Sequence, residues 1–179
     1  RTYKLNILPS GILREGKISI IGNGVVLDLA AFRREVEGLK ERGVKISPSN
    51  LFISDRATII LPLHQSLDEL RESNNLIKIG TTKRGIGPAY EDKVGRRAIR
   101  LCDLFDKNKL NKKIEILLNH HNAIMRGFGY KEYNLEDVVE DIYKLGEFAK
   151  PFSKTINDIT NVINSGKEKV LFEGAQGFL

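Results

Sequence analysis

Ser19-Ile20-Ile21-Gly22-Asn23-Gly24-Val25-Val26-Leu27-Asp28 sets a short apolar run, a glycine turn, a second apolar run and a helix-capping residue end to end. The apolar runs read as strand segments around a tight turn, and an aspartate at position 28 can accept hydrogen bonds from the first free amides of a helix. Leu29, Phe32, Val36 and Leu39 then recur at helical spacing, with Gly43 placed to end that helix. Further along, Leu51-Phe52-Ile53 is another strand. Thr58-Ile59-Ile60-Leu61 is either a strand or the lead into a helix near Leu67 and Leu70. Leu76-Ile77-Lys78-Ile79 delivers the chain into a glycine-rich loop. Towards the N-terminus, Arg1 to Leu8 alternate polar and apolar residues, the pattern of a strand.

From Asn108 the period is helical. Leu110, Ile114, Leu117, His121 and Ile124 share a face that Gly127 closes; Leu135, Val138, Val139, Ile142 and Leu145 repeat it, and Phe152 to Ile163 supplies a third helix. Lys169-Val170-Leu171-Phe172 is then a strand running into Glu173-Gly174-Ala175-Gln176-Gly177. The expected class is α/β, a central sheet flanked by helices with a helical insertion at about residues 108–166. Both ends cut through patterned segments, so residues 1–179 read as an internal fragment of a larger domain.

Composition narrows the class of function. Lys+Arg exceed Asp+Glu by 29 to 23, a formal charge of +6, and 41% of the residues are hydrophobic, enough to fill a core. No apolar run approaches membrane-spanning length, and no secretory signal pattern opens the chain. The lone Cys102 excludes an internal disulfide or a cysteine-based zinc site, which points to the cytoplasm. The mild basic excess suits anionic partners, whether nucleotides, phosphates or nucleic acid.

Gly80-Thr81-Thr82-Lys83-Arg84-Gly85-Ile86-Gly87-Pro88 is the segment richest in chemistry. Glycines let backbone amides approach an anion, while hydroxyls and cations donate to phosphate oxygens. Ile86-Gly87 stands where a P-loop requires Lys and Ser/Thr, so the loop is a phosphate site of another kind or a plain surface turn. Tyr90 to Arg97 follows with charges of both signs. Arg96 could pair with Glu91 or Asp92 along a solvated helix, or Arg96 or Arg97 could clamp a second phosphate.

Leu8-Pro9-Ser10-Gly11-Ile12-Leu13, Ile21 to Val26, Ile79 to Thr82, Arg84 to Lys93, Asp103-Leu104-Phe105-Asp106 and Phe172 to Gly177 together resemble the adenylosuccinate synthase family, in its order and approximate spacing. The resemblance implies a fold related to P-loop NTPases. It also implies a cytoplasmic homodimeric ligase that uses GTP and magnesium to join IMP and L-aspartate, releasing adenylosuccinate, GDP and phosphate in the AMP branch of purine biosynthesis. Carried over by residue, Thr82 resembles the threonine that holds the IMP 5′-phosphate. Arg96 resembles the arginine that reaches the partner subunit's IMP phosphate, and Gln176 resembles the glutamine beside the purine, whose amide can stabilise charge developing on the base oxygen. Lys83 and Phe178 depart from residues common at those places. Family members are much longer than this chain, so the family's nucleotide-phosphate loop, catalytic base and histidine, magnesium ligands, and guanine and aspartate sites are expected outside these residues.

Other residues tempt without persuading. His120 and His121 point about 100° apart on a helix and cannot easily share an ion. His64, near a helix start, reads as a local hydrogen-bonding residue, and Cys102 as a small buried hydrophobe. Lys107, Lys109, Lys112 and Lys113 read as a solvated helix face. A basic nucleic-acid-binding module is the alternative function, resting on net charge and these lysines. Its weakness is the scarcity of interleaved aromatics, 7% of the chain with no tryptophan. An assembly piece that keeps dimer contacts but no chemistry is a third reading.

Overall fold

A computed structural model describes residues 2–74, 80–166 and 169–174. The glycine turn at 22–24 separates two sheets instead of closing a hairpin. Strand β1 (Ser19–Ile21) pairs in parallel with β3 (Leu51–Ser54), Ile21 opposite Ile53, whereas β2 (Val26–Leu27) pairs in parallel with β4 (Thr58–Ile59). The other edge of β3 takes β5 (Ser153–Lys154), again parallel, so the larger sheet has the order β1-β3-β5. Every residue of β3 is buried, as expected of a central parallel strand covered on both faces.

Helix α1 (Leu29–Glu41) starts where Asp28 accepts a hydrogen bond from the Ala31 amide at 3.0 Å, and it buries Leu29, Phe32, Val36 and Leu39. Gly43 closes it in the left-handed region, at φ +87°. Both readings of residues 58–61 hold, because β4 ends at Ile59 and α2 (Pro62–Asn74) begins three residues later with proline at its first position. The chain returns at α3 (Ile86–Val94), then runs through the long α4 (Lys107–Gly127) and α5 (Leu135–Ala149). These last two are inserted between sheet neighbours β3 and β5. Phe32 of α1 meets Phe148 and Phe152 edge to face, with ring centroids 6.0 and 5.7 Å apart, which locks α5 over α1.

Three sequence expectations need correction. Residues 2–8 form no strand, because the Glu35 carboxylate on α1 accepts from the amides of Asn6, Ile7 and Leu8 at 2.9–3.2 Å, taking the donors a ladder would need. The third helix does not start at Phe152. That ring is buried and Ser153–Lys154 pair with β3, so α6 spans Ile156–Asn164, capped by Thr155. Lys169 to Phe172 is not a strand either: Leu171 and Phe172 are 85% and 83% exposed, with no partner strand among the described residues. The expected strand Leu76 to Ile79 lies outside the described residues.

Candidate functional site

The loop from Gly80 to Gly85 is seated on α2. His64, Asp68 and Glu72 occupy successive turns of that helix, and all three are buried. Glu72 accepts from the Gly80 amide at 2.9 Å and Asp68 from the Gly85 amide at 3.0 Å. Gly85 has φ +75°, and a Cβ there would lie 2.7 Å from the backbone of His64 and Gln65, so only glycine fits this close approach. The amides of Gly80 and Gly85 are therefore committed inward to carboxylates and do not cradle an anion. Anion-binding capacity lies instead with the exposed Thr82, Lys83 and Arg84 and with the positive end of α3 that follows them. Lys83, in a left-handed conformation at φ 54°, lies 3.5 Å from Glu69.

Helix α3 ties this loop to the glycine turn between the sheets. The Tyr90 hydroxyl donates to the Gly24 carbonyl at 2.9 Å, and Lys93 Nζ donates to the carbonyls of Asn23 and Gly24 at 3.0 and 3.2 Å. The resulting groove, about 630 Å³, is lined by Lys4, Arg34, Lys83, Arg84 and Tyr90 among others. On the far side Glu173 accepts from the Ser10 amide and hydroxyl, both at 3.0 Å, joining segments 163 residues apart.

Beneath α3 lies a buried polar hub that sequence reading does not find. Asp92 is fully buried. Its Oδ2 accepts from His64 Nε2 at 3.0 Å and His121 Nε2 at 2.7 Å, while Oδ1 faces Arg97 Nε and Nη2, each at 3.0 Å. Burial works against the Asp92 charge, but hydrogen bonds from His121 and His64 outweigh it and hold the carboxyl well below its usual range. Burial pushes the His64 imidazole down, against the opposing pull of Asp92. Helical spacing of His64, Asp68 and Glu72 beside the apolar Leu63, Leu67 and Leu70 is the one signal that could have shown buried polar duty on α2.

The two histidines and Asp92 lie close enough to suggest a cation site. The hydrogen bonds decide otherwise. His64 Nδ1 accepts the Leu61 amide at 3.0 Å, so the proton sits on Nε2 and leaves no lone pair there for a metal. Arg97 already neutralises the carboxylate, and two nitrogens with one oxygen are a poor set for magnesium. His120 is exposed on the next face of α4.

Thr82 and Arg96 are both exposed, at opposite ends of α3. Neither expected partner of Arg96 holds it: Glu91 pairs with Arg71, with Oε2 2.9 Å from Arg71 Nη2, and Asp92 takes Arg97. Arg96 itself adopts φ 59°. Gln176 lies outside the described residues. The lysine run is a solvated face, with Lys107, Lys109 and Lys112 exposed, and it also carries ion pairs: Lys109 and Lys113 hold the buried Asp103 at 3.1 and 2.6 Å and Lys107 holds Glu140 at 3.1 Å. Cys102 is half-buried, and burial raises its thiol pKa. No helix among the described residues is long and apolar enough to cross a membrane.

Parallel strand pairing and a long helical crossover define an α/β protein, with a groove beside the carboxylate-seated loop whose lining includes Lys4, Arg34, Lys83 and Arg84 together with Asp28 and Glu35. A solved structure of fully ligated adenylosuccinate synthetase from Plasmodium falciparum has the same fold, with TM-score 0.81 and 30% identity over 96% of this chain and 40% of that one. The adenylosuccinate synthetase family model matches residues 1–179, and the chain belongs to that family. Adenylosuccinate synthetases of Wolbachia pipientis wMel and of the Brugia malayi Wolbachia (strain TRS) are 51% and 49% identical to it, each over 98% of this chain. The chain spans about two-fifths of their length, 41% and 40%.

Proposed function

We propose that these residues are the middle part of a GTP-dependent ligase that joins IMP and L-aspartate and releases adenylosuccinate, GDP and phosphate. The observation that carries this reading is the family match along the whole chain. The geometry is compatible with it. In this reading the Thr82 hydroxyl donates to the IMP 5′-phosphate from a loop whose backbone is fixed by Asp68 and Glu72. Arg96 serves the same phosphate of the partner subunit in a cytoplasmic homodimer. Support comes from α3, whose nine residues make a rod about 13 Å long between Thr82 and Arg96, more than one phosphate spans.

Gln176 is assigned to the purine oxygen, where an amide donor stabilises developing charge. Gln176→Leu in the full-length protein should then lose turnover by about 100-fold to 1,000-fold, with only a modest change in the IMP KM. Gln176→Glu should be at least as harmful, because a carboxylate repels that charge. Near-normal turnover in a folded Gln176→Leu protein would leave the residue a turn former. Magnesium does not fit the buried histidine–aspartate cluster, so no step is assigned to it here, and its ligands are placed in sequence outside this chain.

The test is adenylosuccinate formation from IMP, GTP and aspartate, assayed with the 179-residue chain and with a full-length protein containing it. The longer protein should turn over and the isolated chain should not. Turnover by the isolated chain would overturn the partition of catalytic groups; inactivity of the folded longer protein would overturn the ligase reading.

A further inference from the structure

We propose that Asp92 is a positioning residue for substrate binding, which fixes the turn after α3 so that the Arg96 guanidinium is presented to solvent in one orientation. The proposal rests on the reading of Arg96 as a phosphate ligand, and deepens it by naming what aims that arginine.

Arg96 is held on its C-terminal side through Asp92. The Asp92 carbonyl accepts from the Arg97 amide at 2.9 Å and the Ala98 amide at 3.1 Å, and the carboxylate of the same residue holds the Arg97 side chain. Backbone and side chain of one aspartate thus grip the residue next to Arg96, which sits in a left-handed conformation that a side-chain-bearing residue adopts only when its surroundings impose it. Asp92 in turn cannot drift, because His64 from α2 and His121 from α4 converge on its second oxygen. The helix that seats the Thr82 loop is therefore also the helix that steadies Arg96, through His64.

Asp92→Asn keeps the shape and breaks the grip. An amide has one acceptor oxygen: turned to the histidines it sets its NH2 against Arg97, and turned to Arg97 it sets its NH2 against the protonated His64 Nε2. Arg97→Lys is the second probe. It keeps the charge, leaves Asp92 and the histidines intact, and loses the planar fork.

The experiment measures IMP binding by calorimetry and steady-state kinetics in the full-length protein, for Asp92→Asn and Arg97→Lys with Arg96 present and with Arg96→Leu. Arg96→Leu alone should weaken IMP binding by roughly 10-fold to 150-fold. Asp92→Asn should weaken it by about 10-fold when Arg96 is present and by less than about 2-fold in the Arg96→Leu background, with turnover at saturating IMP little changed. Arg97→Lys should follow the same pattern more mildly, and it decides the matter alone should Asp92→Asn fail to fold. Equal losses in both backgrounds would mean that the hub serves stability only and would overturn the proposal, as would normal IMP affinity in the single variants. An Arg96→Leu protein with unchanged IMP affinity would instead overturn the reading of Arg96, and this inference with it.

Discussion

Two regions of this molecule are equally buried and held by different forces. Where α1 meets α5, Phe32, Phe148 and Phe152 close an apolar wedge whose residues touch edge to face. Where α2, α3 and α4 meet, the centre is a carboxylate shared by two histidines and an arginine. The wedge owes its stability to area removed from water and tolerates approximate shape. The hub depends on every partner being present, since removing one leaves a buried charge or donor unmatched. The apolar wedge holds the scaffold, and the polar hub lies directly beneath the groups assigned to the ligand.

The contrast can be broken from either side. The largest expected effect is at the wedge: Phe32→Ala should cost about 3 to 5 kcal/mol in urea unfolding, by the same amount at pH 5 and pH 8, because no titrating group is involved. A marked pH dependence of that cost would refute the separation of the two regions. Next comes the hub, where Asp92→Asn should cost roughly 1.5 to 3 kcal/mol at pH 7, the scale of a charge-assisted hydrogen bond. The folded-state pKa of Asp92 is depressed, so its contribution is present above the unfolded value of 3.8 and is lost as pH falls below it. Wild type and Asp92→Asn should converge in stability only in that acid range.

His64 sharpens the comparison at milder pH. Its pKa is lowered on folding, so below the unfolded value of 6.5 the unfolded chain binds the proton that the folded chain refuses, and stability falls as pH drops. The slope should approach about 1.4 kcal/mol per pH unit at most. Thermal melts from pH 8 to pH 5 should show it, and His64→Gln should flatten it; an unchanged slope in that variant would assign the titration elsewhere. The smallest effect is expected at Glu35→Ala, about 1 kcal/mol, with the amides of Asn6, Ile7 and Leu8 exchanging hydrogen faster than in the wild type. Unaltered exchange there would mean that Glu35 is not what keeps residues 2–8 out of a sheet.

The legible parts of the fold were those in which a local pattern and its burial agree. Leu29, Phe32, Val36 and Leu39 announce α1, and Leu110, Ile114, Leu117 and His121 announce α4, because helical spacing puts them on one face whatever that face meets. The misread parts were settled by a distant partner. Residues 2–8 alternate like a strand, yet Glu35 took their amides; Ser153 and Lys154 sit inside a helical pattern, yet the free edge of β3 took them. Motif order nominated Thr82 and Arg96 and passed over Asp68 and Asp92, although the loop and the turn that carry the two nominated residues depend on those aspartates.

The sequence by itself therefore determined the class α/β, the buried faces of α1, α4 and α5 with the Asp28 cap of α1, and the family. Periodicity, capping chemistry and motif order are all written along the chain. Only the tertiary structure decided that β1 and β2 enter different sheets, that the glycine amides turn inward to carboxylates, and that Asp92 gathers residues 28 and 29 positions away into one hydrogen-bonded centre. The physical reason is that a hydrogen bond between remote residues leaves no periodic trace: its partners are chosen by how helices stack, after each helix has formed for reasons of its own.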